Sequence, residues 1–196
     1  MSRDDKARLA DRLIAGDPSA FRELVEAYQR KVYGLAYEMT RNHADAEDIS
    51  QITFMKIHKA IGTLKPGHGL STWIYQITHN AALDHLRKKP FYPKEAAHPP
   101  AAARSFDEPP DPAPGPERAV EVESLRGRID AALATFSERE RAVFVLRHYH
   151  DLKVREIAQT LGVSLGSVKS YLFRSLQKLQ KELDDAEPCL DHGDRT

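Results

Sequence analysis

The sequence predicts an all-α fold: two helical domains joined by a proline-rich linker, the second holding a helix-turn-helix. Three observations carry that prediction. Apolar residues recur at spacings of three and four along both halves of the 196-residue chain, the period of an amphipathic helix. Capping residues and stop signals bracket those runs. Nine of the twelve prolines fall between Pro90 and Pro116, a density that prevents helix or central strand and leaves few apolar groups for a core.

Taken in order, Lys6 to Ile14 reads as a short, weak helix with Leu9, Leu13 and Ile14 apolar, ended by Gly16. Asp17 is a good N-cap with Pro18 at the first helical position. Phe21, Leu24, Val25, Tyr28, Val32, Leu35 and Met39 then form the core face of a long helix. Asn42 to Asp45 turns the chain into the next helix. There Ile49, Thr53, Ile57, Ala60, Ile61 and Leu64 share one face. Asp48, Gln51, Met55 and His58 share another, with Phe54 near the border. A loop with Pro66, Gly67 and Gly69 follows. The next helix is expected to run from Ser71 or Thr72, each a possible N-cap, to the Arg87-Lys88-Lys89-Pro90 stop. It carries Trp73, Ile74, Tyr75, Ile77, Ala81, Ala82, Leu83 and Leu86, too many apolar positions for one buried stripe. Some of them must meet a partner or a second layer.

Beyond the linker, helix is expected to resume near Glu117, with Leu125, Ile129, Leu133 and Phe136 as one stripe. Ser137 to Glu140 reads as a capping box opening a helix with Val143, Phe144 and Leu146. His148-Tyr149-His150-Asp151 closes it. Val154, Ile157, Ala158 and Leu161 then face inward on a short helix, Gly162 permits a tight turn, and Ser164 caps a helix that buries Val168 and Leu172. This is a helix-turn-helix pattern. The expected units are therefore residues 1–89, a linker at 90–116, a helix-turn-helix domain at 117–183 and an acidic tail at 184–196.

Lysine plus arginine equals aspartate plus glutamate, 29 each, so net charge alone gives no nucleic-acid signal. The distribution does. Leu165 to Lys181 holds Lys169, Arg174, Lys178 and Lys181 and no carboxylate, whereas Glu182 to Thr196 holds six carboxylates and one cation. A neutral total thus hides a basic face beside an acidic tail. Cys189 is the only cysteine, so no intrachain disulfide is possible. No run approaches membrane-span length and the start lacks a signal-peptide core, which makes a cytoplasmic protein the expectation.

The run DAEDISQ-x-x-F from Asp45, followed by W-I-Y-x-I-x-x-N-x-A-x-D-x-L-R from Trp73 into a basic cluster, resembles the core-polymerase-binding and promoter-melting region of bacterial sigma factors. The likeness is to the extracytoplasmic-function group of the sigma-70 family. The second half agrees: G-S-V-K-S-Y-L-F-R at Gly166 to Arg174 resembles that group's −35 reader, which commonly runs G-T-V-K-S-R-x-x-R. Tyr171 departs from that pattern, where arginine is common, so the resemblance does not fix the −35 sequence.

The resemblance implies roles. Asp48, Gln51 and Phe54 would grip the coiled coil of the largest polymerase subunit. Asn80 would hold a base flipped from the −10 strand, which must be hydrogen-bonded on its edges and shielded by apolar walls. Arg87, Lys88 and Lys89 would hold phosphates, and equally fit a cationic cluster at a helix C-terminus. Ser167, Lys169, Ser170, Tyr171 and Arg174, on the side away from Val168 and Leu172, would meet the −35 duplex, serine and lysine on phosphates and arginine on guanine edges. Trp73 fits the core better than a base stack. The implied partners are core RNA polymerase, promoter DNA and an anti-sigma factor, with no membrane insertion, no cofactor and no catalytic residue. Nine histidines raise a metal reading. However, His79 with Asp84 and His85, His148 with His150, and Cys189 with His192 match neither HExxH nor a paired CxxC spacing. Two rival functions remain: a homodimeric helix-turn-helix regulator, which explains Val154 to Lys181 but not Asp45 to Lys89, and a metal-dependent hydrolase.

Overall fold

The computed structural model describes residues 1–64, 69–88 and 116–184. These hold eight α-helices, one 3-10 turn and no strand, so the all-α class holds. The linker up to Pro116, the loop with Pro66 and Gly67, Lys89 and the tail beyond Asp184 lie outside the described residues.

Helix α1 spans Arg3–Ile14 and starts earlier than expected, because Ser2 and Asp5 form a reciprocal capping box. The Asp5 N–H donates to Ser2 Oγ at 3.1 Å and the Ser2 N–H to Asp5 Oδ2 at 3.0 Å, which satisfies two donors that no helix can satisfy internally. Helix α2 spans Pro18–Thr40. As expected, Asp17 caps it, accepting from the Ser19 N–H at 2.8 Å. Hydrogen bonds from Ser19 and then Arg12 hold the Asp17 carboxyl down to about 2. Helix α2 stops at Arg41, whose backbone is left-handed at φ 54° and whose N–H returns to the Tyr37 carbonyl at 2.6 Å. A left-handed residue ends a helix this way, and the role usually falls to glycine.

Helix α3 spans His43–Ala60, capped by Asn42 through a 3.0 Å bond from the Asp45 N–H. A 3-10 turn, Ile61–Thr63, follows. Helix α4 spans Leu70–Lys88. Ser71 and Thr72, expected as N-caps, lie inside its first turn instead. The cause is Leu70: it is buried in the core, so docking that side chain draws the helix start back to it. Ser71 instead bonds the Tyr28 hydroxyl at 2.8 Å. Leu9, Leu13, Leu24, Tyr28, Val32, Ile57, Leu64, Leu70 and Ile74 close one core from α1 to α4. Each fully buried leucine or isoleucine there contributes about 1.5–3 kcal/mol relative to exposure.

Helices α5 (Pro116–Thr135), α6 (Glu138–His148), α7 (Val154–Leu161) and α8 (Leu165–Asp184) make the second half. The Ser137–Glu140 box forms, with the Ser137 N–H bonded to Glu140 Oε2 at 2.9 Å. Gly162 closes α7 at φ 64°, and Ser164 accepts from the Ser167 N–H at 3.0 Å. Leu133 and Phe136 are buried with Phe144. Leu125 is not: it is 47% exposed.

The surplus apolar residues of α4 find their second layer in the other half of the chain. Tyr75, Ala81 and Ala82 of α4 and Leu35, Tyr37 and Met39 of α2 share one buried cluster with Val143 and Leu146 of α6, Ile157 and Ala158 of α7 and Val168 of α8. Helix α4 packs on α7, and α2 on α6.

Candidate nucleic-acid and polymerase interfaces

Three surfaces gather the residues singled out in the sequence. On α3, Asp48 and Gln51 are exposed, as their helical spacing from Ile49 and Thr53 requires. Phe54 is half-buried, its ring packed against the α1–α4 core. The apolar surface open to a partner here comes from Met55, 60% exposed, and Ile52. With Asp48 and Gln51 they sit at i, i+3, i+4 and i+7, one continuous face. Ile52 went unnoticed in the sequence because isoleucine in a helical run reads as core.

On α4, Trp73, Ile77, Asn80, Asp84 and Arg87 recur at spacings of four and three and so line one strip, about 20 Å long at 1.5 Å per residue. Trp73 and Ile77 lean on the α1–α4 core, while Asn80, Arg87 and Lys88 are exposed. Lys89 lies outside the described residues. Lys56 of α3 bonds Asp84 at 3.1 Å, and Asp45 of α3 meets His85 at 3.0 Å, so the α3 face and the α4 strip belong to one rigid pair. Beside Asn80, His79 is buried. Burial pushes its imidazole down; the Asn80 amide partly opposes that, and Arg139 reinforces it.

On α8, Lys169, Ser170 and Arg174 are exposed. Ser167 is half-buried; its hydroxyl is 2.9 Å from that of Ser164, which also accepts its N–H. Tyr171 does not lie wholly on the open side. Its ring packs against the shared core, its hydroxyl accepts from Arg139 Nη1 at 3.3 Å, and the Arg174 guanidinium rests 5.4 Å from its ring centroid. The tyrosine therefore holds two arginines in place, a pairing of α6 with α8 that neither helix pattern reveals. Phe173, 63% exposed, and Leu176 add open apolar surface on the same helix.

Among the described residues no group of three or more His, Cys, Asp or Glu side chains could hold a metal ion. His148 and His79 are depressed by burial, and Cys189 with His192 lies outside those residues. No helix among them is long and apolar enough to cross a membrane.

Family profiles match both halves of the chain. The one described as Sigma-70 region 2 matches residues 24–90, and the one described as Sigma-70, region 4 matches residues 126–179. The chain is 34% identical over 161 residues to the ECF RNA polymerase sigma factor SigE of Mycolicibacterium smegmatis, spanning 82% of this chain and 60% of that one. It is 30% identical over 172 residues to the ECF RNA polymerase sigma factor SigW of Bacillus subtilis, spanning 87% and 92%. Two solved structures share the fold. One is CnrH in complex with the cytosolic domain of CnrY, with a TM-score of 0.66 and 20% identity over 92% of this chain and 98% of that one. The other is the sigma factor RpoE in complex with the anti-sigma factor NepR from Bartonella quintana, with a TM-score of 0.63 and 19% identity over 84% and 96%. A homodimeric helix-turn-helix regulator would account for the region 4 match and leave the region 2 match without a cause. With both regions present, in this order, the chain belongs to the extracytoplasmic-function group of the sigma-70 family of RNA polymerase sigma factors.

Proposed function

We propose that this chain binds core RNA polymerase through α3, captures −10 bases on α4 and reads the −35 duplex with α8. The observation that carries this reading is the pairing of α3 with α4: an exposed polar and apolar face, and a strip ending in cations, joined by Lys56–Asp84 and Asp45–His85. Asp48, Gln51, Ile52 and Met55 supply the polymerase face, with Phe54 bracing it from behind. Asn80 receives an unstacked base, with Arg87, Lys88 and Lys89 on the flanking phosphates. Ser167, Lys169 and Ser170 position the −35 backbone, and Arg174, oriented by Tyr171, reaches a base edge. The units that serve these steps are residues 1–89 and 117–183, connected by 90–116 and followed by the tail from 184.

The chain acts in the cytoplasm, takes no cofactor and catalyses no reaction itself; chemistry belongs to the polymerase. An anti-sigma factor is the expected antagonist, in line with the complex that the Bartonella quintana protein forms with NepR. The test is co-elution of the purified chain with core polymerase, followed by sequencing of the DNA that the joint complex retains. A chain that binds duplex DNA alone and never co-elutes with core would refute the reading.

A further inference from the structure

Several cations of the second half are committed to the fold. Lys178 Nζ donates to Glu140 Oε2 at 2.7 Å and to the Thr135 carbonyl at 3.0 Å. Arg141 is buried and donates to the Leu133 carbonyl at 2.6 Å. Arg147 Nη1 donates to the Leu152 carbonyl at 3.1 Å, and Arg128 donates to the Leu183 carbonyl. Arg139 of α6 is different. It is exposed, and its tether is a neutral side chain: Nη1 donates to the Tyr171 hydroxyl at 3.3 Å. That hydrogen bond raises its pKa above the usual arginine value, and no carboxylate among the described residues contributes.

Helix stability gives no reason for an arginine at this place. Arg139 is the second residue of α6, at the end where the helix dipole is positive and a cation is disfavoured. Glu138 and Glu140, on either side of it, are the residues that end favours. Nor does the core need the tether, because the Tyr171 ring packs there on its own account. What the tether does is hold a second guanidinium beside α8, at the ring that Arg174 already meets 5.4 Å from its centroid.

We propose that Arg139 is a DNA contact supplied by α6: held by the Tyr171 hydroxyl, it binds a backbone phosphate at the edge of the duplex that α8 reads. The inference rests on the −35 reading of α8 given above. A helix seated in the major groove, about 12 Å wide, occupies it, so a helix packed on its flank overlies the rim, where the phosphates run. Helix α6 packs on α8, which places Arg139 over phosphate rather than over base edges. One guanidinium N–H goes to Tyr171 and the others stay available, while the phenol keeps its own proton as a further donor to the same phosphate. An arginine at position 171 would carry such a charge on α8 itself. Tyrosine there draws the charge from the neighbouring helix. Arg139 is thus the contact, and Tyr171 positions it.

The test is closed-complex formation by holoenzyme, the full chain with core polymerase, on a labelled duplex promoter at salt concentrations from about 0.15 to 1 M. Arg139→Ala should make the log–log salt slope shallower by about 0.9, which is about fivefold weaker binding at about 0.15 M, with the deficit closing toward 1 M. Preference at each −35 position should be unchanged. The melting temperature should hold or rise, since a cation leaves a helix N-terminus. Tyr171→Phe keeps the ring for the core and for Arg174 and removes only the acceptor. It should cause part of the same loss and add nothing in the Arg139→Ala background, whereas Arg139→Lys, which keeps the charge, should keep the slope. An unchanged slope in Arg139→Ala, or a preference lost at one base position, would overturn the phosphate contact. A Tyr171→Phe defect undiminished in the Arg139→Ala background would overturn the tether. Lys169→Ala separates this inference from the reading beneath it. If Lys169→Ala flattens the slope and Arg139→Ala does not, the −35 reading stands and the Arg139 contact alone fails. If neither does, the −35 reading falls and the Arg139 contact falls with it.

Discussion

Asn80→Ala separates strand opening from every other step. Asn80 is exposed on α4, so removing its amide leaves no cavity, and fold stability should stay within about 0.5 kcal/mol. The amide can pair with a base edge only after the base leaves the stack, because duplex bases use those edges for each other. Extraction costs a few kcal/mol, and capture must offset it. A two-point amide–base contact is worth about 1–3 kcal/mol. At 1.4 kcal/mol per factor of ten, that is about 5- to 150-fold in the opening equilibrium. Permanganate footprinting of the −10 thymines reads opening directly, on a duplex promoter and on one pre-melted at −10. The variant should bind core and form the closed complex normally, open the duplex promoter poorly, and recover most of the loss on the pre-melted template. Normal opening on the duplex would refute base capture by Asn80. An equal defect on both templates would move the cost beyond opening.

Three further expectations follow from the same surfaces. Gln51→Ala with Met55→Ala should weaken binding in a core titration with far-ultraviolet circular dichroism unchanged; equal affinity would remove this face from the interface. Arg174→Ala should cost about 1–3 kcal/mol and relax preference at one −35 position, whereas Lys169→Ala should weaken all sequences alike and flatten the salt dependence. An unchanged preference profile for Arg174→Ala would exclude direct readout. His79, held down by burial, is neutral in the native chain, while the unfolded chain takes up a proton below pH 6.5. Its contribution is therefore full above pH 6.5 and is lost as pH falls below that value. The urea midpoint should drop from pH 7.5 to 5.5, and less steeply in His79→Gln; an identical slope would rule out this histidine.

Caps and stripes were legible in the sequence because they are local. Asp17, Ser137 and Ser164 act on N–H groups two or three residues away, and the short helix–turn–helix from Val154 to Val168 needs only its own pattern. The docking between halves was legible only as a surplus. The apolar excess on α4 announced a second layer without saying which. On α2, Tyr37 and Glu38 are both buried, although no helical face contains them together with Val32 and Leu35. Burial on every side of a helix end requires a neighbour from elsewhere in the chain, and no amphipathic pattern records it. The three surfaces were singled out by the resemblance of their motifs, while details that depend on a second helix were not: Arg139 holding Tyr171, Leu70 drawing back the start of α4, and Ile52 standing open where Phe54 turns inward.

The joint between the halves is rich in alanine: Ala36, Ala46, Ala81 and Ala82 on one side, Ala142 and Ala158 on the other. Small side chains let helix backbones approach closely, but each one removes little apolar area from water. Fit and adhesion are thereby uncoupled. At these positions selection acts on volume more than on hydrophobicity: glycine or serine would be accommodated at modest cost, whereas one added isopropyl group would wedge the helices apart. A joint of this composition takes its register from the close fit at the alanines and most of its apolar burial from the larger residues around them, Leu35, Met39, Tyr75, Leu146 and Ile157.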